Sequence, residues 1–514
     1  MPRAIVVLLL LVSLGLASYL VRLDAGPTER AQVVAEALPV YKDIGTSFIL
    51  PMSADQLSSL RSSGRQVQVL DTDLSPGEYF IIYKAGPDVG SSPGRLLWEN
   101  DRLRLVRMSE PDARAAKAAG FPIARLPLVP HPLPAPLAPL PSSPYSADTT
   151  IARIVSLVSQ DSIARTIHDL QSFGTRYSYN PKCESATFYL RQRLTELGYA
   201  VRLDTYYLTS PTTRAFNVEA TLDGMVTPES IVIACAHYDS YSTNFDSAPG
   251  ADDNATGTAA VLELARVLQQ AQFRWSVKFL CFSGEEQWMK GSYHWVDSTA
   301  VPQSLKIAGV YNMDMFGYAA YDTNLVFENT NTASRPLANL CDSTNNWYGI
   351  GLRVMNYLDE DIYGDNTPFW ETGYRSVFAL EDSEWGIWNG SDSFYHTPGD
   401  TFGNLTVSLV TRTTEMTAAC LATLAGPYSP VGVAEPRPPS PAPRPLPFAT
   451  IVRGVLFIEA RGEKREARSE LLDMGGRNVL DLVPGANDVR RLAPGVYFIR
   501  AKTDAAFGRV VKVR

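Results

Sequence analysis

The sequence predicts an α/β fold with a mainly parallel mixed sheet flanked by helices. A continuous apolar run at residues 231–236, and a mostly apolar stretch at 277–282 that is interrupted by Lys278, are typical of buried strands. Segments with helical apolar spacing, at residues 161–173 and 256–270, alternate with these runs. Strand and helix in alternation favour a sheet with helices on both faces. In such sheets functional side chains collect at the carboxyl ends of the strands.

Further elements extend this domain on both sides of the two apolar runs. Additional strands are predicted at residues 206–208, 215–222, 307–313, 325–327, 352–355 and 376–380, and additional helices at 184–197, 333–347 and 407–424. These segments belong to one large domain, and the remaining regions are much smaller.

The overall charge excludes nucleic-acid binding as the main task. The chain has 514 residues with 46 lysines and arginines against 54 aspartates and glutamates, a net charge of −8. Binding a polyanion requires clustered positive charge, which this composition does not supply. Five cysteines are too few for a disulfide scaffold in so long a chain, so core burial must hold it together.

Residues 1–17 have the pattern of a secretory signal peptide. Met1–Arg3 is followed by an apolar stretch over residues 4–16 and a small-x-small site at residues 15–17. This pattern predicts a protein that is secreted or held at the cell surface. An uncleaved membrane anchor is the alternative, because apolar residues continue to Val21. After cleavage we expect no stable association with a membrane.

Two proline-rich stretches divide the mature chain into three parts. Residues 126–145 and 427–447 are predicted linkers, since proline fixes the backbone and removes hydrogen-bond donors. They separate an N-terminal accessory or propeptide region (28–125), a large α/β domain (146–426) and a C-terminal domain (448–514). Both outer regions carry Pro-Gly turns that lead into aromatic and β-branched runs, so a small β-rich region and a β-sandwich-like domain are predicted.

The C-terminal 448–514 segment contains a Pro-Gly turn at residues 484–485, the string LAPGVYFIR at 492–500 and a terminal strand-like run. With these features it resembles the β-sandwich sorting domains that end cargo of bacterial type IX secretion. The resemblance implies a contact with secretion machinery. The alternative is an accessory β-domain without a sorting role.

Imidazoles and carboxylates follow several of the predicted strands. They are His237 and Asp239, Asp252 and Asp253, Glu285 and Glu286, Asp314, and His396. Burying that many acids at one rim of a sheet is costly unless a cation neutralises them. Two histidines with several carboxylates and no required thiolate suit zinc, with cobalt or manganese as possible substitutes. The surplus of carboxylates argues for two ions, because one aspartate can bridge a metal pair.

Local spacing gives roles to two of these groups. His237 and Asp239 are two residues apart on a strand and share a face, so Asp239 can orient the imidazole. Glu285 and Glu286 are adjacent at a strand end and diverge. One of them can therefore bind metal while the other stays free to take a proton.

The motifs HYD (237–239), GADDNATG (250–257), GEE (284–286), NMD (312–314) and YHTPGD (395–400) occur in this order. With them the middle domain resembles the dinuclear zinc aminopeptidase family, a group of zinc exopeptidases. Relatives of that family include glutamate carboxypeptidase II and the glutaminyl cyclases. The resemblance implies a zinc exopeptidase fold and two zinc ions per chain.

The resemblance also implies a role for each motif residue. It assigns His237 and Asp314 to one zinc, Glu286 and His396 to the other, and Asp253 as the bridge between them. Glu285 becomes the general base. Tyr395 matches a position that donates a hydroxyl to the oxyanion in several relatives. A cis peptide is expected at Asp253–Asn254, and the role of Asp365 and Asn366 stays open.

The resemblance implies a secreted dinuclear zinc aminopeptidase that acts on peptides and hydrolyses their N-terminal peptide bond. A glutaminyl cyclase or a carboxypeptidase on the same fold is the alternative. A non-catalytic surface or adhesion protein is an alternative of another class. His131 lies in a proline linker, and His168 and His294 fall within helical patterns without acidic companions. All three are predicted to be structural or to lie on the surface.

Overall fold

The computed structural model covers most of the chain. It describes residues 18–84, 93–119, 121, 123–133, 145–209, 211–319, 322–358, 363–381, 392–429, 450–452, 455–458, 469–472, 477–483, 485–501 and 507–512. The predicted signal peptide at 1–17 and most of the second linker, from residue 430 onward, lie outside these residues. The chain divides into two compact units, 1–429 and 430–514.

An eight-stranded mixed sheet forms the centre of the first unit. Its strands are β1 (Val201–Thr209), β2 (Thr212–Leu222), β3 (Thr227–His237), β4 (Trp275–Phe282), β5 (Lys306–Met313), β6 (Leu325–Thr330), β7 (Arg353–Leu358) and β8 (Ser376–Leu380). Their spatial order is β1-β2-β4-β3-β5-β8-β6-β7. The run β4-β3-β5-β8 is parallel, and so is the pair β6-β7, whereas β1-β2, β2-β4 and β6-β8 are antiparallel.

Helices cover this sheet. They are Thr149–Ser156, Gln160–Gln171, Pro181–Glu196, Gly257–Leu268, Lys290–Trp295, Arg335–Tyr348, Thr367–Glu371 and Val407–Ala425, with a short turn of helix at Phe402–Asn404. Two of the long ones, Gly257–Leu268 and Val407–Ala425, are buried along most of their length. Since a helix that is apolar on most sides belongs inside a core, these two helices pack within the main hydrophobic cluster. The predicted fold class is confirmed.

The described residues of the N-terminal region are β-rich, as predicted, but they also form three helices. Its strands are Tyr19–Asp24, Pro39–Val40, Lys42–Asp43, Ser47–Met52, Val67–Asp71, Tyr79–Tyr83, Arg95–Glu99, Leu103–Arg107, Ile123–Arg125 and His131–Pro132, and its helices are Pro27–Ala35, Ala54–Ser62 and Glu110–Ala118. The strands form two four-stranded sheets and one two-stranded pair. The region starts before the predicted boundary at 28, because Leu20 and Val21 are fully buried in its first strand.

The first predicted linker differs from an extended spacer over its first part. Leu126 is buried, and His131–Pro132 pairs with Pro39–Val40 at a sheet edge. Nε2 of His131 lies 2.8 Å from a carboxylate oxygen of Asp297 in the large domain. Proline is tolerated in edge strands, which explains how a proline-rich segment joins a sheet. Residues 134–144 of this linker lie outside the described residues.

The second unit is a small β structure. Its strands are Thr450–Val452, Val455–Ile458, Ser469–Leu472, Asn478–Leu482, Gly485–Asp488, Gly495–Ala501 and Phe507–Lys512. They form a five-stranded and a two-stranded sheet around a core that includes Leu456, Leu471 and Tyr497. The sorting role predicted for this unit stays a prediction.

Two further features bear on the predicted cellular location and chemistry. All five cysteines are buried free thiols, with the sulfurs of Cys341 and Cys420 3.6 Å apart. Within the described parts of the chain, no helix combines the length and the apolar character needed to cross a membrane.

Candidate metal centre

The sheet topology brings three of the predicted motifs to one edge. Strands β4, β3 and β5 are parallel neighbours, so their carboxyl ends meet. His237 is the last residue of β3, Glu285 and Glu286 follow β4, and Asp314 follows β5. The edge therefore carries one imidazole and three carboxylates from separate parts of the sequence.

An irregular turn, Ala251–Thr256, brings Asp253 to the same edge. The turn begins at Gly250, whose φ of +56° is in the left-handed region and whose backbone passes so close to Ser240 that a side chain would collide with it. Only glycine fits there. The carboxylate of Asp400 accepts the backbone N–H of Asp252 at 2.8 Å and that of Asp253 at 3.1 Å. Asp400, the last residue of the YHTPGD motif, therefore holds this turn in place.

Two groups of potential metal ligands share Asp253. Nε2 of His237 lies 3.2 Å from Oδ1 of Asp314 and 3.3 Å from Oδ1 of Asp253. Nε2 of His396 lies 3.1 Å from Oε1 of Glu286 and 3.2 Å from Oδ2 of Asp253. Each group has its ligand atoms within 4.8 Å of one another. The two oxygens of one carboxylate therefore face two different histidines.

Asp239 supports both His237 and the glutamate pair. Its backbone carbonyl lies 3.1 Å from Nδ1 of His237, and its Oδ1 lies 3.5 Å away. The carboxylate accepts the backbone N–H groups of Glu285 and Glu286, both at 3.3 Å, and the hydroxyl of Ser178 at 2.7 Å. The main-chain carbonyl is the closer partner of the imidazole, and the carboxylate fixes the loop after β4.

Burial disfavours the charged forms of these groups, whereas neighbouring opposite charges favour them, and both effects shift their pKa values. Burial opposes the charged form of His237, but the carboxylate of Asp314, together with the other acids around it, raises its pKa well above the ordinary value. Burial likewise opposes the charged form of Asp253, but hydrogen bonds from His237 and His396 hold its pKa well below the ordinary value. Burial raises the pKa of Asp314 to about 6, although His237 lowers it. The cluster has more buried carboxylates than imidazoles can neutralise.

Glu285 and Tyr395 lie beside the two ligand groups. Burial raises the pKa of Glu285 well above the ordinary value, and the nearby Glu286 contributes in the same direction. The ring of Tyr395 stacks on that of His396 with centroids 3.8 Å apart. Burial, reinforced by Asp253 and the other acids of the centre, raises the pKa of Tyr395 well above its ordinary value. Its hydroxyl therefore keeps its proton at neutral pH and can donate it to a hydrogen bond.

Asp252 points away from the histidines. Its carboxylate accepts the backbone N–H groups of Gly317 at 2.9 Å and Tyr318 at 3.2 Å. It forms a separate acidic group with Glu381 and Asp392. The side chains of the two adjacent aspartates thus lie in different groups of potential ligands.

Two features that the resemblance singled out are also visible. The Asp253–Asn254 peptide is cis, in agreement with the expectation. Asp365 is fully buried, and neither carboxylate oxygen meets a hydrogen-bond donor among the described residues. Burial raises the pKa of Asp365 to about 7, while His237 lowers it. Ser292 also lowers that pKa, so the Asp365 carboxylate lies close to Ser292 as well as to the metal centre.

Arg176, which the sequence did not predict as a functional residue, stabilises the loops that carry this centre. Arg176 is fully buried. Its guanidinium donates hydrogen bonds of 2.6–3.1 Å to four backbone carbonyls, those of Leu170, Tyr238, Pro249 and Gly250. These bonds tie the turn that carries Asp253 to the residues after β3. No local pattern in the sequence distinguishes this arginine from an exposed one.

Replacing Arg176 by methionine should lower the free energy of unfolding by about 3–5 kcal/mol, because buried carbonyls would lose a charged donor. Chemical denaturation would measure the change. The matched control is Arg153→Met, since the exposed Arg153 donates to a single carbonyl, that of Gln270, at 2.8 Å. Equal stability of the two variants would contradict the role assigned to Arg176.

The comparison with known families agrees with this geometry. The family model of peptidase family M28 matches residues 217–421. We call residues 217–421 the M28 segment. This M28 segment contains Glu285 and the five residues of the two ligand groups. The family resemblance predicted from the sequence is thereby confirmed for the middle of the chain.

Several curated proteins are similar to the M28 segment and its surroundings. A probable zinc metalloprotease of Phaeosphaeria nodorum is 28% identical over 303 residues, covering 46% of this chain and 61% of that protein. Leupeptin-inactivating enzyme 1 of Streptomyces exfoliatus is 26% identical over 332 residues, covering 60% and 70%. Aminopeptidase YwaD of Bacillus subtilis is 28% identical over 204 residues, covering 37% and 40%. The chain thus spans less than two thirds of the length of the first and third of these relatives.

Solved structures share the fold. The LapA aminopeptidase of Legionella pneumophila superposes with a TM-score of 0.55 at 20% identity, covering 68% of this chain and 99% of LapA. LapB of the same organism gives a TM-score of 0.55 at 15% identity with the same coverage. At these identities the likeness is one of fold.

Proposed function

We propose that this chain is a secreted zinc aminopeptidase whose centre holds two zinc ions and which hydrolyses the N-terminal peptide bond of peptides. One observation carries the proposal. Asp253 directs Oδ1 toward His237 and Oδ2 toward His396, and each histidine has a further carboxylate of its own. A carboxylate shared between two imidazole–carboxylate groups is what a bridged metal pair requires.

The chemistry of the donor set suits zinc. Each group offers one imidazole nitrogen and two carboxylate oxygens, which leaves a position open in the tetrahedral coordination that zinc prefers. The buried carboxylates outnumber the imidazoles, so divalent cations would remove an electrostatic penalty. Zinc held there would supply Lewis acidity and a water of lowered pKa.

The residues of the chain supply the remaining chemistry. Glu285 belongs to neither ligand group, and its backbone is held by Asp239. Divalent cations bound beside it would lower its raised pKa, so its ionised carboxylate can take the proton of the attacking water. It then returns that proton to the amine that leaves. The Tyr395 hydroxyl donates a hydrogen bond to the carbonyl oxygen as negative charge develops there.

Two independent observations favour peptides as substrates and export as the destination. The names of similar proteins include a zinc metalloprotease and an aminopeptidase, which supports the peptide-bond chemistry. The charged start and apolar stretch of residues 1–17 support export. Sequencing the N-terminus of the protein recovered from the growth medium tests the second point.

Dialysis against a chelator should abolish hydrolysis of aminoacyl p-nitroanilides, and added zinc should restore it with a stoichiometry of two ions per chain. The physical reason is that Glu285 needs a water of lowered pKa to deprotonate. Zinc analysis and initial rates measure both effects.

The control substrate is the same aminoacyl p-nitroanilide with an acetylated amino group, which should stay uncut. Cleavage of acetylated peptides would contradict an aminopeptidase. Cyclisation of N-terminal glutamine with one zinc per chain would instead indicate a glutaminyl cyclase.

A further inference from the structure

A lysine from the N-terminal region reaches the metal centre. Lys117 lies on the helix Glu110–Ala118, and its Nζ donates to Oε2 of Glu286 at 3.1 Å. The Lys117 side chain is 24% exposed, whereas that of Glu286 is 1% exposed. The lysine therefore stands between the buried ligand and solvent.

An aromatic wall runs from this helix to the metal centre. The rings of Tyr179 and Tyr177 are 5.5 Å apart, those of Tyr177 and Tyr241 are 6.2 Å apart, and that of Tyr241 is 4.7 Å from His396. The ammonium of Lys117 lies 6.0 Å from the centre of the Tyr241 ring. The aromatic wall and the lysine thus lie on the same side of the metal centre, and we call the space beside them the cleft.

Arg114 adds a second cation beside this cleft. It precedes Lys117 by three residues, so both side chains leave the same face of the helix. The Arg114 guanidinium lies 5.5 Å from the ring centre of Tyr179, and its Nη1 donates to the Tyr179 hydroxyl at 3.3 Å. Nη1 of Arg114 also lies 3.5 Å from Oε1 of Glu110 on the same helix, which balances part of its charge, whereas Lys117 contacts the metal ligand Glu286.

Buried contacts fix this helix in place. Trp288, two residues after Glu286, packs edge-on against Phe80 of the N-terminal region with centroids 5.2 Å apart. Glu110, at the start of the helix, pairs with Arg125 at 2.5 Å and with Lys290 of the M28 segment at 3.5 Å. The helix is held from both sides as part of the cleft wall.

Metal binding would change what Lys117 can pair with. A zinc ion held by Glu286 would take Oε1, the oxygen that faces His396, whereas Lys117 contacts Oε2 of the same carboxylate. The zinc would withdraw negative charge from that carboxylate and weaken its attraction for the ammonium. Two divalent cations would more than neutralise the ligand carboxylates Asp253, Glu286 and Asp314. The flexible lysine side chain would then turn its charge toward a molecule in the cleft. That charge repels a basic group and attracts a carboxylate.

We propose that Lys117, with Arg114 beside it, makes this enzyme select peptides whose N-terminal residue is aspartate or glutamate. The inference rests on the proposed aminopeptidase function and names its substrate class. The side-chain carboxylate of the substrate pairs with the lysine while its peptide bond lies at the metal centre. A charge-assisted pair of this kind distinguishes an acid from its amide of the same shape.

The experiment compares aminoacyl p-nitroanilides of Asp, Glu, Asn, Gln, Leu and Lys on the zinc-loaded full chain. We expect kcat/KM for Asp and Glu to exceed that for Asn and Gln by about tenfold or more, as a hydrogen bond to a charged group allows. Lys117→Met should reduce this ratio to about one. Arg114→Met should reduce the ratio by a smaller factor.

A matched control separates a local effect from a general loss of positive charge. Lys306 is 67% exposed and pairs with Glu229 at 3.5 Å, at the opposite end of the sheet from the metal centre. Lys306→Met should leave the acid-to-amide ratio unchanged. Lys117→Arg should keep most of the ratio, because the charge is retained.

A binding measurement gives a readout that does not depend on turnover. Calorimetry should show that the zinc-loaded wild type binds L-glutamate more tightly than L-glutamine, and that Lys117→Met removes the difference. Equal binding of the two amino acids by the wild type would overturn the inference.

The kinetic outcomes separate the two proposals. If no substrate with a free N-terminus is cleaved, the aminopeptidase function fails. If Leu is cleaved but Asp and Glu are no better than their amides, only the substrate inference fails. If Lys117→Met accelerates every substrate alike, the lysine obstructs the cleft and the inference is overturned.

Discussion

Glu285→Gln should lower kcat for N-terminal hydrolysis by about 10²- to 10⁴-fold while the zinc content stays at the wild-type value. Glutamine keeps the shape of the side chain but cannot accept a proton at neutral pH. Glu285 lies outside both ligand groups, so its loss removes a proton acceptor and no metal ligand. Steady-state kinetics and metal analysis of the same sample would check both parts.

The control for this variant is Glu229→Gln. Glu229 lies on β3, the strand that ends at His237, but its side chain is 55% exposed near the other end of the strand. Its loss should not change kcat. A Glu285→Gln enzyme that keeps most of its activity would remove Glu285 from the role of general base. One that loses its zinc would show that Glu285 is a ligand.

The strands of the central sheet could be predicted because buried strands leave an apolar pattern in the local sequence. The apolar run at 231–236 is the inner part of β3, and the run at 277–282 is nearly all of β4. Strands buried on both faces read as continuous apolar stretches. Since parallel neighbours end at one edge, the same pattern places His237, Glu285 and Asp314 together.

Which residues belong to each metal-ligand group could not be predicted from the strands alone. Asp253 and His396 lie on loops, and nothing local decides which of two adjacent aspartates faces the histidines. The resemblance of the GADDNATG and YHTPGD motifs supplied that choice. The structure gives a physical reason, because backbone N–H groups of residues 317 and 318 hold the carboxylate of Asp252 away from the histidines.

Arg176 and Lys117 could not be found in the sequence because their partners are distant. Arg176 contacts backbone carbonyls, which carry no side-chain identity. Lys117 lies in the segment EPDARAAKA, which has the composition of an ordinary surface helix, and its partner Glu286 is 169 residues away. Such contacts depend on how two distant regions of the chain pack together. A short stretch of sequence does not show this.

Asp253→Asn should cause the largest loss of metal of any single substitution at the centre. An amide offers one oxygen where the carboxylate offers two, and both oxygens of Asp253 face a histidine. Substitutions that only support a ligand cost about 10- to 100-fold in metal affinity, so loss of a shared ligand should exceed about 100-fold. Zinc titration against a competing chelator would measure the change.

The neighbouring Asp252→Asn is the matched control, because it makes the same chemical change one residue away. The Asp252 carboxylate accepts backbone N–H groups and lies outside both groups that contain a histidine. This variant should therefore keep its zinc even if the turn loses some stability. The opposite result, with zinc lost from Asp252→Asn and kept by Asp253→Asn, would mean that the wrong aspartate has been placed between the two histidines. Loss of only one zinc from Asp253→Asn, with the second site at full affinity, would mean that the two sites do not share this carboxylate.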